Sequence, residues 1–431
     1  MNHWADPFRV PSKWFVSILP AEAMPPVAGE RKRIFDTLST FWINLDQIFN
    51  GGSLRWGNRL MQVMRHRLGK DSISTCTSAY CRARKRMRLD WIKKVHQRIL
   101  DNCVNRSARV VIVDGTSVQL PDTSTNQSAY PQSGGQRPGC GTPIVQLIGL
   151  FEAESGMLVE VEDSPWSVHE NALFQGLMLE NIKAEDLLIA DRAYCSYYNF
   201  YMIQRTGAHT VMRLHQARKA KFEKGSDEMI VQWKKPTRQA RPDHIDEEQW
   251  QQMPEQITVR YIRYRMEHKG FRTREVILAT TLLDDSADKI IELYHKRWQI
   301  ELTFRDVKTT MGMEWIPVKS PELALKQIWM FVIAHNLIRY LINQAKAACS
   351  KKFSFKGTLD TLVNFSRSNT KRCSNFWKSC LEPVLKLIAE DPVPDRPGRA
   401  EPRCVKRRPK GYQLMTSPRH LMVVSESRAL K

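Results

Sequence analysis

Paired cysteines are missing from this sequence. Its nine cysteines, at positions 76, 81, 103, 140, 195, 349, 373, 380 and 404, are odd in number and form no C-x-x-C pair. Neither a disulfide framework nor a cysteine-held structural zinc is indicated, and a reducing cytoplasm is expected. A leader pattern is missing too, since MNHWADPFRVPSKW has no charged-then-apolar order, and secretion is not expected. The most apolar run, IWMFVIAHNLIRYLI (328–342), is interrupted by His335, Asn336 and Arg339. It is too short for a bilayer span and reads as a core helix. There are no internal repeats. Acids are outnumbered, 45 Asp and Glu against 66 Lys and Arg, which leaves a net charge of +21. No long amphipathic segment is dedicated to a membrane surface, so the excess implies a polyanionic partner, of which nucleic acid is the commonest.

What is present is a globular composition, 42% hydrophobic over 431 residues, enough for more than one domain. Residues 1–105 read as a helical N-terminal DNA-binding region. RIFDTLSTFWINLDQIF and RLMQVMRHRL have helical periodicity around the turn signal NGG, and eight Lys or Arg face one acid, Asp90, between Arg82 and Arg98. That density of one sign favours a phosphate-contacting helix over a merely solvated face. The period then changes. ARVVIVDG, TPIVQLIGLFE, GMLVEVED, EDLLIAD and HTVMRLH read as strands, with helices at HENALFQGLMLENI and SYYNFYMIQRTG. The expected class is α/β, a mixed sheet with helices packed on it, with 106–214 as the first part of a core. Residues 215–280 read as a β-strand insertion, 281–348 as the second part of the core, and 349–431 as a C-terminal region. The Pro-rich basic stretch 391–411 is expected to be an extended tail that meets DNA backbone.

Two acids follow buried strand runs: Asp114 after VVIV and Asp191 after LLIA. A third, Glu301, lies in YHKRWQIELTFRDVK (294–308). Read as one continuous helix, this stretch gathers Tyr294, Arg297, Glu301 and Lys308 within roughly 60° of one another, amid its apolar residues. A Glu301–Arg297 pair four residues apart would account for those two charges alone, and leaves both aspartates, Tyr294 and Lys308 unexplained. Three carboxylates without His or Cys are hard oxygen ligands for Mg2+, with Mn2+ as substitute. With DNA as partner, they suit phosphoryl transfer by two ions about 4 Å apart, with Tyr294, Arg297 and Lys308 positioning phosphates. His169-Glu170 reads as the start and cap of a helix.

These residues carry a resemblance. The sequence resembles the DDE transposases of bacterial insertion sequences, and within them the subgroup spaced Tyr, two residues, Arg, three, Glu, six, Lys. Tyr294, Arg297, Glu301 and Lys308 match every spacing. Asp114 in VIVDGTSVQLPD and Asp191 in LIADRAY match the contexts of the first and second aspartates, with Ala193 where a Gly is frequent. The resemblance implies an RNase H-like catalytic core with a β-rich insertion, and a metal-dependent enzyme acting on double-stranded DNA at transposon ends and target. It further implies cut-and-paste movement through a hairpin, a homodimer on paired ends, and a nucleoid-associated location in a bacterial cytoplasm. The insertion tryptophans Trp233 and Trp250 are candidates for stacking on a flipped base, with no motif to select between them, and for Trp233, at the end of the strand-like run EMIVQW, a core position is an equal expectation. A DNA-binding regulator derived from an inactive copy, or a metal-dependent nuclease or resolvase, is the alternative.

Overall fold

A computed structural model of the protein describes residues 33–105, 108–265, 275–346, 351–368 and 376–394, together with positions 15, 18, 19, 24, 25 and 31. The basic stretch beyond 394 lies outside the described residues. In chain order come α1 (Thr37–Phe49), α2 (Leu54–Arg67), α3 (Ser78–Arg86) and α4 (Leu89–Cys103), then β1 (Val110–Gln119), α5 (Ser124–Ala129), β2 (Ile144–Glu152) and β3 (Leu158–Pro165). Next are α6 (Glu170–Asn181), β4 (Leu187–Ala190), α7 (Tyr197–Arg205), β5 (His209–Arg213), β6 (Glu228–Lys234), α8 (Glu247–Gln252), β7 (Gln256–Arg265) and β8 (Glu275–Thr280). The helices α9 (Ala287–His295), α10 (Trp298–Arg305), α11 (Pro321–Lys346), α12 (Phe355–Ser368) and α13 (Phe376–Ala389) follow. The chain divides into two compact units, one of residues 1–105, 155–158 and 302–394, the other of 106–154, 159–301 and 395–431.

The second unit is built on an eight-stranded mixed sheet in the order β3-β2-β1-β4-β5-β8-β7-β6. β1 runs antiparallel to β2 and parallel to β4, and β4 is parallel to β5. Strands from 215–280 continue this same sheet past β5, with β8, β7 and β6 added antiparallel in turn. The apolar run LLIA gives β4 four buried residues, as a strand flanked on both sides requires.

The register of β1 on β4 is fixed from one end. Val110 pairs with Leu187 and Ile112 with Ile189, an offset of 187 − 110 = 77. One residue earlier on each strand, Arg109 and Asp186 are at the same offset and form a buried ion pair, Arg109 Nη2 to Asp186 Oδ2 at 2.6 Å. Asp186, fully buried, also accepts from the Arg109 backbone N–H at 2.9 Å, from Arg109 Nε at 3.2 Å and from the Lys183 N–H at 2.9 Å. A carboxylate this well supplied with donors offsets its own desolvation.

The first unit packs helices around α11, whose Ile328–Ile342 run is almost wholly buried. Two of its three polar interruptions bond to each other and to β3: Asn336 donates to Leu158 O at 2.8 Å and accepts from the Leu158 N–H at 2.9 Å, and His335 Nδ1 contacts Asn336 Oδ1 at 3.1 Å. No helix among the described residues is long and apolar enough to cross a membrane. The basic stretch Arg82–Arg98 is two helices, broken at Met87 and Arg88. Arg84 is buried and donates to Gln327, and the Lys93 ammonium lies 4.6 Å from the Trp329 ring centre. Part of that charge therefore serves the protein's own interior.

Candidate active site

Asp114 lies in β1 and Asp191 directly follows the adjacent parallel strand β4. Their separation, 191 − 114 = 77, is the offset of the β1–β4 pairing, so each carboxylate follows its last paired residue by two positions. Asp114 was expected at a strand exit; instead β1 runs on to Gln119, because β2 pairs with it through Ile144. It is β4 that stops, at Ala190, and from there one edge of β1 is open. Asp-Gly here is therefore extended backbone and not a turn. Asp114 Oδ1 accepts from the Gly115 N–H at 2.9 Å, while Asp191 caps a 3-10 turn, Arg192–Tyr194, accepting from the Arg192 N–H at 2.7 Å.

The Glu301 segment departs from the single helix of the sequence reading. α9 ends at His295, Lys296 and Arg297 form a turn, α10 starts at Trp298, and a π turn covers Asp306–Thr310. Each break resets the helical phase: Thr303 and Asp306 are buried, while Trp298 and Leu302 are exposed. Tyr294 is buried and the Arg297 side chain is only 15% exposed, as the wheel requires, but Glu301 is 43% exposed. Glu301 Oε1 accepts from Arg297 Nη2 at 3.2 Å, the i,i+4 pair weighed above. The unit boundary falls within α10 after Glu301, so Lys308, half-buried on the π turn, belongs to the first unit.

Charge ties the remaining groups together. Burial raises the Asp114 pKa to about 6, and the neighbouring Asp191 and Glu301 carboxylates add to the rise against the Gly115 N–H and Arg297. The Arg297 guanidinium is held charged by Tyr294, Asp191, Glu301 and Asp114 against the penalty of its burial. Burial also drives the Tyr294 hydroxyl upward, with Arg297 opposing and Asp191 reinforcing. Asp114, Asp191, Glu301, Arg297 and Tyr294 thus share one electrostatic neighbourhood. The donor chemistry, three carboxylates with no thiolate or imidazole, suits a hard divalent cation, which would relieve the crowding felt by Asp114. Among the described residues no three such groups stand close enough to cage an ion, and Glu301 is engaged by Arg297.

A pH dependence follows. Asp114 holds its proton to a higher pH in the folded protein than its ordinary 3.8, so it adds stability below about pH 4 that is lost as pH rises through about 6. In chelator, the melting temperature of the wild type should fall between pH 4 and 6 relative to that of Asp114→Asn. Parallel curves for the two proteins would exclude this.

Sequence reasoning missed Glu170 and Tyr194. Glu170 does begin α6, as expected, yet its carboxylate also reaches the site. It accepts from Gln146 Nε2 on β2 at 2.8 Å and from the Tyr194 hydroxyl at 3.5 Å. A Cβ on Gly115 would lie 2.7 Å from Glu170 Oε1, so a glycine beside Asp114 makes the room. Tyr194 is buried, and burial raises its hydroxyl pKa, with Glu170, Asp114 and Asp191 adding to the rise; it stays a donor. The tryptophans Trp233 and Trp250 are buried. Trp233 donates to Tyr261 Oη at 2.6 Å beneath the Arg218 guanidinium, 3.7 Å from its ring centre, and Trp250 packs on Tyr198.

Residues 105–337 match the family described as "Transposase DDE domain". Over 356 residues the chain is 24% identical to the transposase InsG of insertion sequence element IS4 from Escherichia coli, covering 78% of this chain and 77% of that protein. A transposase for insertion sequence element IS421 from Escherichia coli is 39% identical over 70 residues, 16% of this chain and 18% of the relative. Among solved structures, a piggyBac transposase synaptic complex with hairpin DNA aligns at a TM-score of 0.45 and 9% identity, covering 89% of this chain and 86% of the other.

Proposed function

The chain belongs to the transposase DDE domain family, and from that premise we propose that it is a DNA transposase in which Asp114, Asp191 and Glu301 form the catalytic acid triad. The observation that supports the assignment best is the common offset of 77, by which each aspartate follows the last β1–β4 pair, Ile112 and Ile189, by two residues. Glu301 and Arg297 lie within their electrostatic reach. The five-strand order β3-β2-β1-β4-β5, with β2 antiparallel to β1, supports an RNase H-like core, and α1–α4 support a helical N-terminal region for DNA.

Asp114, Asp191 and Glu301 would hold the divalent ions, two Mg2+ with Mn2+ as substitute. Bound there, the ions supply a more acidic nucleophilic water or 3′-hydroxyl and charge relief at the leaving oxygen. The protein's own part begins with Asp114, which must give up its proton to take part. Its pKa of about 6 makes it ionised at neutral pH and partly blocked in mild acid. Arg297 is paired with Glu301 while no phosphate is present. A DNA phosphate offers the same guanidinium a second anion, and Arg297 passes from pairing Glu301 to holding the backbone. Tyr294, buried and protonated, donates to a phosphate oxygen, and Lys308 contributes a further positive charge. This role of Tyr294, Arg297, Glu301 and Lys308 is the one the Tyr-Arg-Glu-Lys subgroup implies, with cut-and-paste movement of element ends by a homodimer.

The test is cleavage of a labelled duplex carrying the element's end and flanking DNA, with Mg2+ and with EDTA. Metal-dependent nicking at the boundary is expected. Tight binding with no nicking in Mg2+ or Mn2+ would instead mean a DNA-binding regulator, and nicking without boundary preference a nuclease.

A further inference from the structure

We propose that α2 is the helix that reads base edges in the major groove, while the exposed basic residues of α4 hold phosphates; this rests on the transposase reading. The sequence drew attention to Arg82–Arg98. The structure draws it to Leu54–Arg67, a helix with Arg55, Arg59, Arg65, His66 and Arg67 and no acid at all.

Two of its faces are fully engaged. Gly57, Asn58, Met61 and Met64 are buried. A Cβ on Gly57 would lie 2.6 Å from the Tyr80 ring and 3.0 Å from Ile43 Cγ2, so the backbone of α2 rests directly on α3 and α1. On the flank, Asn58 Nδ2 donates to Ser74 O at 3.0 Å, Gln62 Nε2 to Ile73 O at 2.9 Å and Arg65 Nε to Asp71 O at 2.8 Å. These three bonds lace the helix to the connection before α3.

The third face is solvent-exposed. At about 100° per residue, Arg55, His66, Arg59, Val63, Trp56 and Arg67 fall in that order over an arc of roughly 120°, and all six are exposed. A helix that is merely solvated mixes signs and leaves few large apolar groups in water. This arc has one sign only and carries Val63 at 48% and Trp56 at 39% exposure. Trp56 is held in place, donating to Asp46 Oδ2 at 2.8 Å. Arginines interleaved with an apolar side chain are what base edges select: guanidinium for guanine O6 and N7, and a methyl-bearing group for the thymine methyl. The arc spans about 18 Å along the helix, a length that lies within a major groove. A pinned helix also loses little freedom on docking. Lys94 is exposed on α4 instead, and Arg88, the residue before that helix, is paired with Asp90 of its first turn at 2.9 Å. Mixed charge of that kind suits backbone contact.

The experiment uses the full-length chain and a library of random-sequence duplexes, from which bound DNA is sequenced. Wild type should enrich one motif. Arg59→Ala and Val63→Ala should each alter base preference at one or two adjacent positions, with Arg59→Ala lowering affinity for the preferred duplex roughly 10- to 100-fold. Lys94→Ala and Arg98→Ala should weaken all duplexes alike and flatten the salt dependence by about one ion each. Every position is exposed, and unchanged thermal melts verify the fold. Variants of α2 that keep the wild-type motif overturn the proposal, as does a wild type that enriches none. Metal-dependent nicking of duplex, measured separately, tells whether the transposase reading stands in either case.

Discussion

Glu301→Gln should lower strand cleavage at least about a thousandfold while leaving duplex binding within a few-fold. The substitution keeps the side chain's length and its ability to accept from Arg297, whose Nη2 now lies 3.2 Å away, so the local fold has no reason to change. What it removes is one of the three negative charges proposed to hold the divalent cation. Asp114→Asn and Asp191→Asn should be as severe, and the three should not add in combination, since residues that act as one unit fail together. Asp114→Asn has a second signature, because it also removes the charge that burial and two neighbouring carboxylates disfavour. Single-turnover cleavage of a labelled duplex and gel-shift titration on the same preparations give both quantities. Cleavage within tenfold of wild type for Glu301→Gln would remove Glu301 from the triad.

Asp186→Ala is expected to have the largest effect on stability, about 3–5 kcal/mol, as for a broken buried ion pair. Four donor contacts end on this carboxylate, and its loss strands a buried guanidinium with Asn181 O, at 2.7 Å, as its remaining partner. For a unit of this size the melting temperature should drop by about 10 °C, read by calorimetry. Cleavage should fall further than the folded fraction does, because the pair stands at the head of the two strands that carry the aspartates. A variant that melts with the wild type would show that strand pairing alone holds the register.

The strands were legible because apolar runs bounded by Gly, Pro and charge have few other uses, and both aspartates could be found by their position after such runs. How far β1 continues was not legible: its last five residues are ordered by pairing with β2, and nothing in GTSVQ announces a partner of that length. The Tyr294–Lys308 helix was misread for the same reason. Its break falls at Lys296-Arg297, and its π turn at Asp306–Thr310, without a proline or glycine in either. In the second, Asp306 is drawn in by Arg339, a contact at 3.6 Å with a residue 33 positions later. Glu170 had a sound local explanation as a helix start, and only the sheet's topology brings it beside Gly115. Trp233 ends the strand-like run EMIVQW, which allowed a core position, whereas Trp250 sits in the polar stretch EEQWQQ; their ring partners, Phe200 and Tyr198, lie elsewhere in the chain.

The shared offset of 77 has a consequence for how such a chain can vary over generations. Spacing between Asp114 and Asp191 depends on Arg109–Asp114 and Asp186–Asp191 and on no count of residues between them. The connections after β1 and ahead of β4 can therefore gain or lose residues while the two carboxylates keep their distance. Within either short run the tolerance vanishes: one deleted residue moves a carboxylate by about 3.3 Å and turns it to the opposite face of the sheet. Lineages built on this frame are free to remodel their surfaces by length, and are confined to substitution inside two runs of six residues.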